Sequence, residues 1–165
     1  MPMKRGDSSV RENFIEAMKG LQGADLQVGF FPSAKYSDKS STPVAYVAAI
    51  HEFGSPSQGI PPRPFFRPTI ANRKKQWSAA IEHFAKRLLI GEGTPEQYLE
   101  QLGLAVAGDI KKTISKIKTP ALSPRTIKAK RRKLAAKGLD AGNLNKPLVE
   151  TGLLIGSLTY EVTRK

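Results

Sequence analysis

Apolar residues recur at helical spacing over several stretches of this chain and alternate over two short ones. Ser9 with Glu12 three residues later fits a capping box. A helix is expected from there to about Lys19, with Val10, Phe14, Ile15 and Met18 on one face, and Gly20 and Gly23 end it. Leu26 to Phe31 alternates and is rich in β-formers, which predicts a strand stopped by Pro32. Residues 33–42 are Ser-, Lys- and Asp-rich and read as an exposed loop. Thr42-Pro43 opens a short helix with Val44, Val47 and Ile50 on one side, closed by Gly54.

A Pro-rich arm follows over 55–68, where Pro61, Pro62, Pro64 and Pro68 are expected to hold the chain extended. The spacing then predicts a long helix from about Thr69 to Leu89, with Ile70, Trp77, Ile81, Phe84 and Leu88 as its buried stripe. Thr94-Pro95-Glu96-Gln97 combines a cap, a Pro at the first position and a Gln three residues after the cap. The helix it starts carries Leu99, Leu102, Val106, Ile110, Ile114 and Ile117 on one face, and Pro120 stops it. Ser123-Pro124 starts another helix, expected to run to Lys137, with little apolar content beyond Ile127 and Leu134. Residues 140–146 read as a loop, Glu150 to Leu158 as a short helix and Thr159 to Thr163 as a closing strand. These elements predict an α+β fold: a helix-rich single domain over 1–165 with a small antiparallel sheet packed against long helices.

The length, 165 residues, suits one domain of the usual roughly 100–150 residues. With 39% apolar residues and no cysteine, a core can form, while a Cys-based zinc site, a thiol nucleophile and disulfide stapling are excluded. No apolar run reaches the roughly 18 residues of a membrane span, and nothing reads as a signal peptide. A soluble protein made in the cytoplasm, with no membrane partner, is expected.

Charge changes the picture more. Lys plus Arg number 27 against 14 acidic residues, a net +13. Such a field attracts polyanions without choosing among them. Between Ile110 and Leu139 there is no acidic residue, and eleven basic ones stand there: Lys111, Lys112, Lys116, Lys118, Arg125, Lys128, Lys130, Arg131, Arg132, Lys133 and Lys137. The chain outside this basic helical segment, 110–139, is nearly neutral. The segment reads either as a surface for DNA phosphates or as a solvated face that meets an acidic partner. It holds no aromatic residue to stack bases, so contact with DNA would be to the backbone and without sequence preference.

Catalytic patterns are missing. His51-Glu52 opens like the zinc-protease H-E-x-x-H, but Ser55 stands where the second ligand belongs. His51 is read instead as a helix-end residue whose imidazolium a helix C-terminus would favour. No G-x-S-x-G, G-x-x-x-x-G-K-[ST] or G-x-G-x-x-G occurs. No catalytic centre, cofactor site or metal site is expected.

Two segments are more specific. Within Val44 to Ile70 stand His-Glu-Phe-Gly-Ser and Ile-Pro-Pro-Arg-Pro-Phe-Phe-Arg-Pro-Thr-Ile. Lys146 to Val162 reads Lys-Pro-Leu-Val-Glu-Thr-Gly-Leu-Leu-Ile-Gly-Ser-Leu-Thr-Tyr-Glu-Val. Together they resemble the tailed-bacteriophage neck and tail-completion family, the minor tail protein Z-like or head–tail joining proteins. The basic stretch around Ser123-Pro124-Arg125-Thr126 also looks like that family's segment before its closing motif. The resemblance implies a non-enzymatic virion protein, assembled in the host cytoplasm. It would form a homo-oligomeric ring, sixfold or related, around the DNA channel, in contact with head–tail connector, tail terminator and tail tube proteins. A tail terminator or another morphogenesis protein, or a non-specific DNA-binding module, is the alternative.

The same residues suggest where contacts would lie. In a stiff extended arm Phe65 and Phe66 point opposite ways, one expected in the chain's own core and one in a neighbour. Arg63 and Arg67 suit carboxylates of an adjacent subunit, given the bidentate reach of a guanidinium. The alternative is that the whole arm packs within its own chain. Leu148, Leu153, Leu154 and Leu158 are expected in the core, and Glu150 and Thr151 near the start of the last helix as capping or dipole partners. The basic segment is expected to favour a protein partner over the channel lumen, because a strongly adhesive channel would hinder DNA transit.

Overall fold

A computed structural model describes residues 8–36, 41–136 and 152–164. In chain order these form α1 (Ser8–Leu21), β1 (Ala24–Phe30), α2 (Val44–Phe53), α3 (Phe66–Leu89), α4 (Pro95–Lys116), α5 (Pro124–Ala135), α6 (Leu153–Ser157) and β2 (Leu158–Arg164), with one 3₁₀ turn at Pro56–Gln58. The strands β1 and β2 pair as a two-stranded antiparallel sheet. The fold is helix-rich α+β, as the periodicity predicts. Contacts divide the chain into two compact units, 1–29 with 71–108 and 159–165, and 30–70 with 109–158.

In the first unit, Thr94 and Gln97 cap α4 reciprocally. The Thr94 N–H donates to Gln97 Oε1 at 3.0 Å, and the Gln97 N–H to Thr94 Oγ1 at 3.3 Å. These contacts satisfy two of the donors that a helix start leaves free. Phe84 of α3 stacks on Tyr98 of α4, with centroids 4.6 Å apart, and Leu88, Tyr98 and Ala107 are buried. Gly103 lets α4 approach the sheet: a Cβ there would stand 2.5 Å from the Tyr160 ring and 2.9 Å from Leu26.

Several predicted faces turn out differently. Ile70 and Ile81, placed in the α3 stripe, are 46% and 52% exposed, while Trp77 and Phe84 are half-buried. Ser9 lies inside α1 rather than at its cap, since the helix already includes Ser8. The Val10, Phe14, Ile15 and Met18 face of α1 is exposed.

In the second unit Val44, Ala48, Phe65, Ile110, Ile114, Leu154 and Leu158 are buried, and α2 packs on α6. Leu154 and Leu158 thus sit in the core as expected, and Leu153 is half-buried. The 33–42 loop is pinned at its ends, where Tyr36 N–H donates to Thr42 O and Val44 N–H to Ala34 O. Ser123 caps α5, its Oγ accepting the Thr126 N–H at 3.2 Å. Leu148, Glu150 and Thr151 lie outside the described residues.

Gly103→Ala is expected to lower stability by about 1–3 kcal/mol, the scale of overpacking. Gly108→Ala, in the same helix with open space around it, is expected to raise stability by up to about 1 kcal/mol. Thermal melts of the two variants beside the parent check the pair.

Candidate functional site

The first of the two resembling segments, Val44 to Ile70, forms a brace within the second unit. Gly54 ends α2 at φ +79, where an L side chain is strained and a Cβ would stand 3.0 Å from Ile60 O and Pro62. A tight return follows: Ser55 and Ile60 exchange both backbone hydrogen bonds, at 2.8 and 2.9 Å, around the 3₁₀ turn. This brings Arg63 back beside α2, and its N–H donates to His51 O at 2.6 Å.

The helix α3 then starts at Phe66, three residues before the predicted Thr69. The stretch expected to stay extended through Pro68 is therefore shorter. Pro68 is tolerated because an N–H in the first helical turn has no intrahelical partner to lose. No Ser, Thr, Asp or Asn precedes this helix start, so its free donors need an acceptor from elsewhere. Glu52, 4% exposed, supplies it. Oε2 accepts the N–H groups of Phe65 at 2.7 Å and Phe66 at 2.9 Å. Oε1 accepts the Arg67 N–H at 3.1 Å and Arg67 Nε at 3.0 Å. Burial raises the pKa of this carboxyl, but the three backbone bonds and the guanidinium outweigh it, and the net value lies below the ordinary 4.5. The positive end of the helix dipole acts in the same direction.

Each predicted interface residue is engaged within its own chain. Arg63, 4% exposed, donates from Nε to Pro120 O at 2.8 Å and from Nη2 to Ala121 O at 3.1 Å. It staples the connector before α5 and is not available to a neighbouring carboxylate. Arg67 pairs with Glu52 and also donates to the Glu52 carbonyl at 2.8 Å. Its guanidinium lies 5.1 Å from the Phe53 ring centroid. Phe65 and Phe66 do not diverge. Their centroids are 5.0 Å apart, and both rings meet Phe30 edge-on at 6.1 and 6.0 Å. Phe65 is fully buried and Phe66 half-buried. The two rings share one cluster, and do not point opposite ways as expected, because the residues open a helix instead of lying in an extended strand. Thr69 adds a further tie, its Oγ1 lying 2.6 Å from both Phe65 O and Thr113 Oγ1.

His51 is also not the imidazolium expected of a helix end. Burial, with Arg63 and Lys130 nearby, lowers its pKa to about 4. It is neutral at pH 7, and its Nδ1 is buried with no hydrogen-bond partner among the described residues.

The basic segment is mostly an outward surface. Lys112, Lys116, Lys118, Arg125, Lys128, Arg131 and Arg132 are exposed. Lys112 sits 4.0 Å from Asp109, and Lys111 is half-buried. Lys130 departs from the expected surface: it is 7% exposed and lies close enough to His51 to act on that imidazole. The Lys133 side chain and Lys137 lie outside the described residues. Sequence reasoning also missed Glu52 as an anchor, although a long helix without a local cap was the available signal. Among the described residues no group of three or more His, Cys, Asp or Glu could hold a metal ion, and no helix is long and apolar enough to cross a membrane. No protein-family model, curated protein or solved structure matches the chain.

Glu52→Ala is expected to cost about 3 kcal/mol, as for a buried charged acceptor removed from its donors, and Phe65→Ala about 3–5 kcal/mol. Urea denaturation of each variant measures both. The pH dependence follows from two depressed native pKa values. Unfolded His51 takes up its proton near 6.5 and native His51 only near 4, so its contribution is complete above 6.5 and is lost as pH falls towards 4. Glu52 contributes above its ordinary 4.5, and that contribution is lost as pH falls further. Melting temperature is therefore expected to fall from pH 6.5 downward, and His51→Gln should flatten the 6.5-to-4 limb.

Proposed function

We propose that the protein is a structural component of a tailed-phage neck, which completes the tail end and joins it to the DNA-filled head as a ring around the channel, and which transforms no substrate. The observation that carries this reading is the meeting of the two motif segments. The helices α2 and α6, about a hundred residues apart in sequence, pack together, and Val44, Ala48, Leu154 and Leu158 share one core. Residues of the first motif segment, among them Glu52, Arg63 and Phe65, build this unit. That leaves the outward cations of α4 and α5 to meet partners. An acidic rim on a connector or terminator ring is their expected counterpart.

A second reading is supported by the same surface. Arg125, Lys128, Arg131 and Arg132 are exposed in a segment with no acidic residue, which suits non-specific contact with DNA phosphates.

Purified protein mixed with isolated tails is expected to cap them in negative-stain images, and an Arg131→Glu/Arg132→Glu variant to stay folded but lose capping. Protein that never binds tails or connectors overturns the neck assignment. For the second reading, DNA affinity should fall with salt at a log–log slope of about −0.9 per phosphate contacted between roughly 50 and 200 mM. Absence of binding at the lower salt removes it.

A further inference from the structure

The helix α1 is seated inside out. Its strip of Asn13, Ala17 and Gly20 is half-buried. Asn13 Nδ2 reaches Leu89 O at 3.4 Å, and Gly20 sits so close to Pro95 that a Cβ would stand 2.7 Å from its ring. The large apolar side chains face away: Val10 is 44% exposed, Phe14 49%, Ile15 42%, Met18 52% and Leu21 39%. Phe14, Ile15, Met18 and Leu21, with Lys19 and Gln22, line a groove of about 400 Å³. Five adjacent apolar residues on one helix form a contiguous patch, unlike the singly scattered apolar residues normal on a surface.

We propose that this face binds the same face of a second copy of the chain, as an antiparallel two-fold α1–α1 pair. The flanking charges choose both the occupant and the direction. Glu12 and Lys19 are exposed and lie on one side of the strip, two turns or ~10.5 Å apart. When two copies of α1 run antiparallel about a centre between Ile15 and Glu16, Glu12 of each copy stands opposite Lys19 of the other, and the bridge forms twice. In a parallel pair the two-fold axis runs along the helices and carries Glu12 and Lys19 of the second copy to the opposite edge of the seam, so neither bridge forms. Near that centre Ile15 meets its own equivalent, and Phe14 of each copy meets Met18 of the other, the reciprocal contact of a two-fold interface. A pair of 14-residue helices buries less than the ~1,200 Å² of a stable interface, so the dimer is weak and concentration-dependent. It closes at two copies and is therefore separate from the ring proposed above, and it does not rest on that reading.

Sedimentation velocity of the full chain from about 5 to 300 µM, the range a weak pair requires, tests it. The sedimentation coefficient is expected to rise towards that of two copies. Phe14→Glu, at an exposed position, should hold the protein monomeric with an unchanged far-UV spectrum. Glu12→Lys and Lys19→Glu should each weaken pairing several-fold, and the double exchange should restore it. A monomer at every concentration overturns the proposal. So does self-association that Phe14→Glu leaves unchanged, or a double exchange that pairs no better than the single ones.

Discussion

The second unit depends on one carboxylate. The 24-residue helix α3 begins directly after Pro64 and Phe65, which offer no side-chain acceptor. Its first N–H groups must nevertheless be satisfied, because buried donors without partners are costly. Glu52 meets that need from the end of α2, bridging Phe65, Phe66 and Arg67. The arrangement works only because Gly54 turns the chain sharply and the Ser55–Ile60 return is short. Once the helix start is pinned, Phe65 has its place against Phe30, and Arg63 can reach the carbonyls of Pro120 and Ala121. Helix start, aromatic cluster and connector staple follow from a single buried anion.

What could be read in the sequence was local. The Thr94–Gln97 box, the Ser123 cap and the Gly54 turn involve residues within a few positions of one another, and their geometry follows from residue type. The two strands and the helix-rich class followed from alternation and periodicity. What could not be read was long-range or directional. Glu52 and the α3 start at Phe66 are fourteen residues apart, and no local pattern pairs them. Periodicity found an apolar face on α1 but not that the helix would turn its small residues inward. The prolines of 61–68 suggested an extended arm, whereas Pro68 sits in the one helical turn that admits it. Lys130 was counted with the surface because charge alone does not tell which lysine will lie beneath a helix.

The fate of the arginines narrows where partners can bind. Arg63 and Arg67, the two that stand in the Pro-rich motif, are both engaged with their own chain, Arg63 buried and Arg67 with its side chain 60% exposed. The outward charge of the basic segment lies on Lys112, Lys116, Lys118, Arg125, Lys128, Arg131 and Arg132. The chain therefore separates two uses of cations: those that tie its own loops and those that face the surroundings.

The seating of α5 carries a consequence for motion. This helix holds on through half-buried Ile127 and Leu134 and a buried lysine, a small apolar grip for twelve residues. Its amides should open in sub-global fluctuations well before those of α4, whose Ile110 and Ile114 are deep in the core. An anionic ligand that recognises only the closed helix would slow this opening by mass action. Amide exchange along α5 is thus thermodynamically linked to occupancy of the cationic face, and a weakly held helix becomes its reporter.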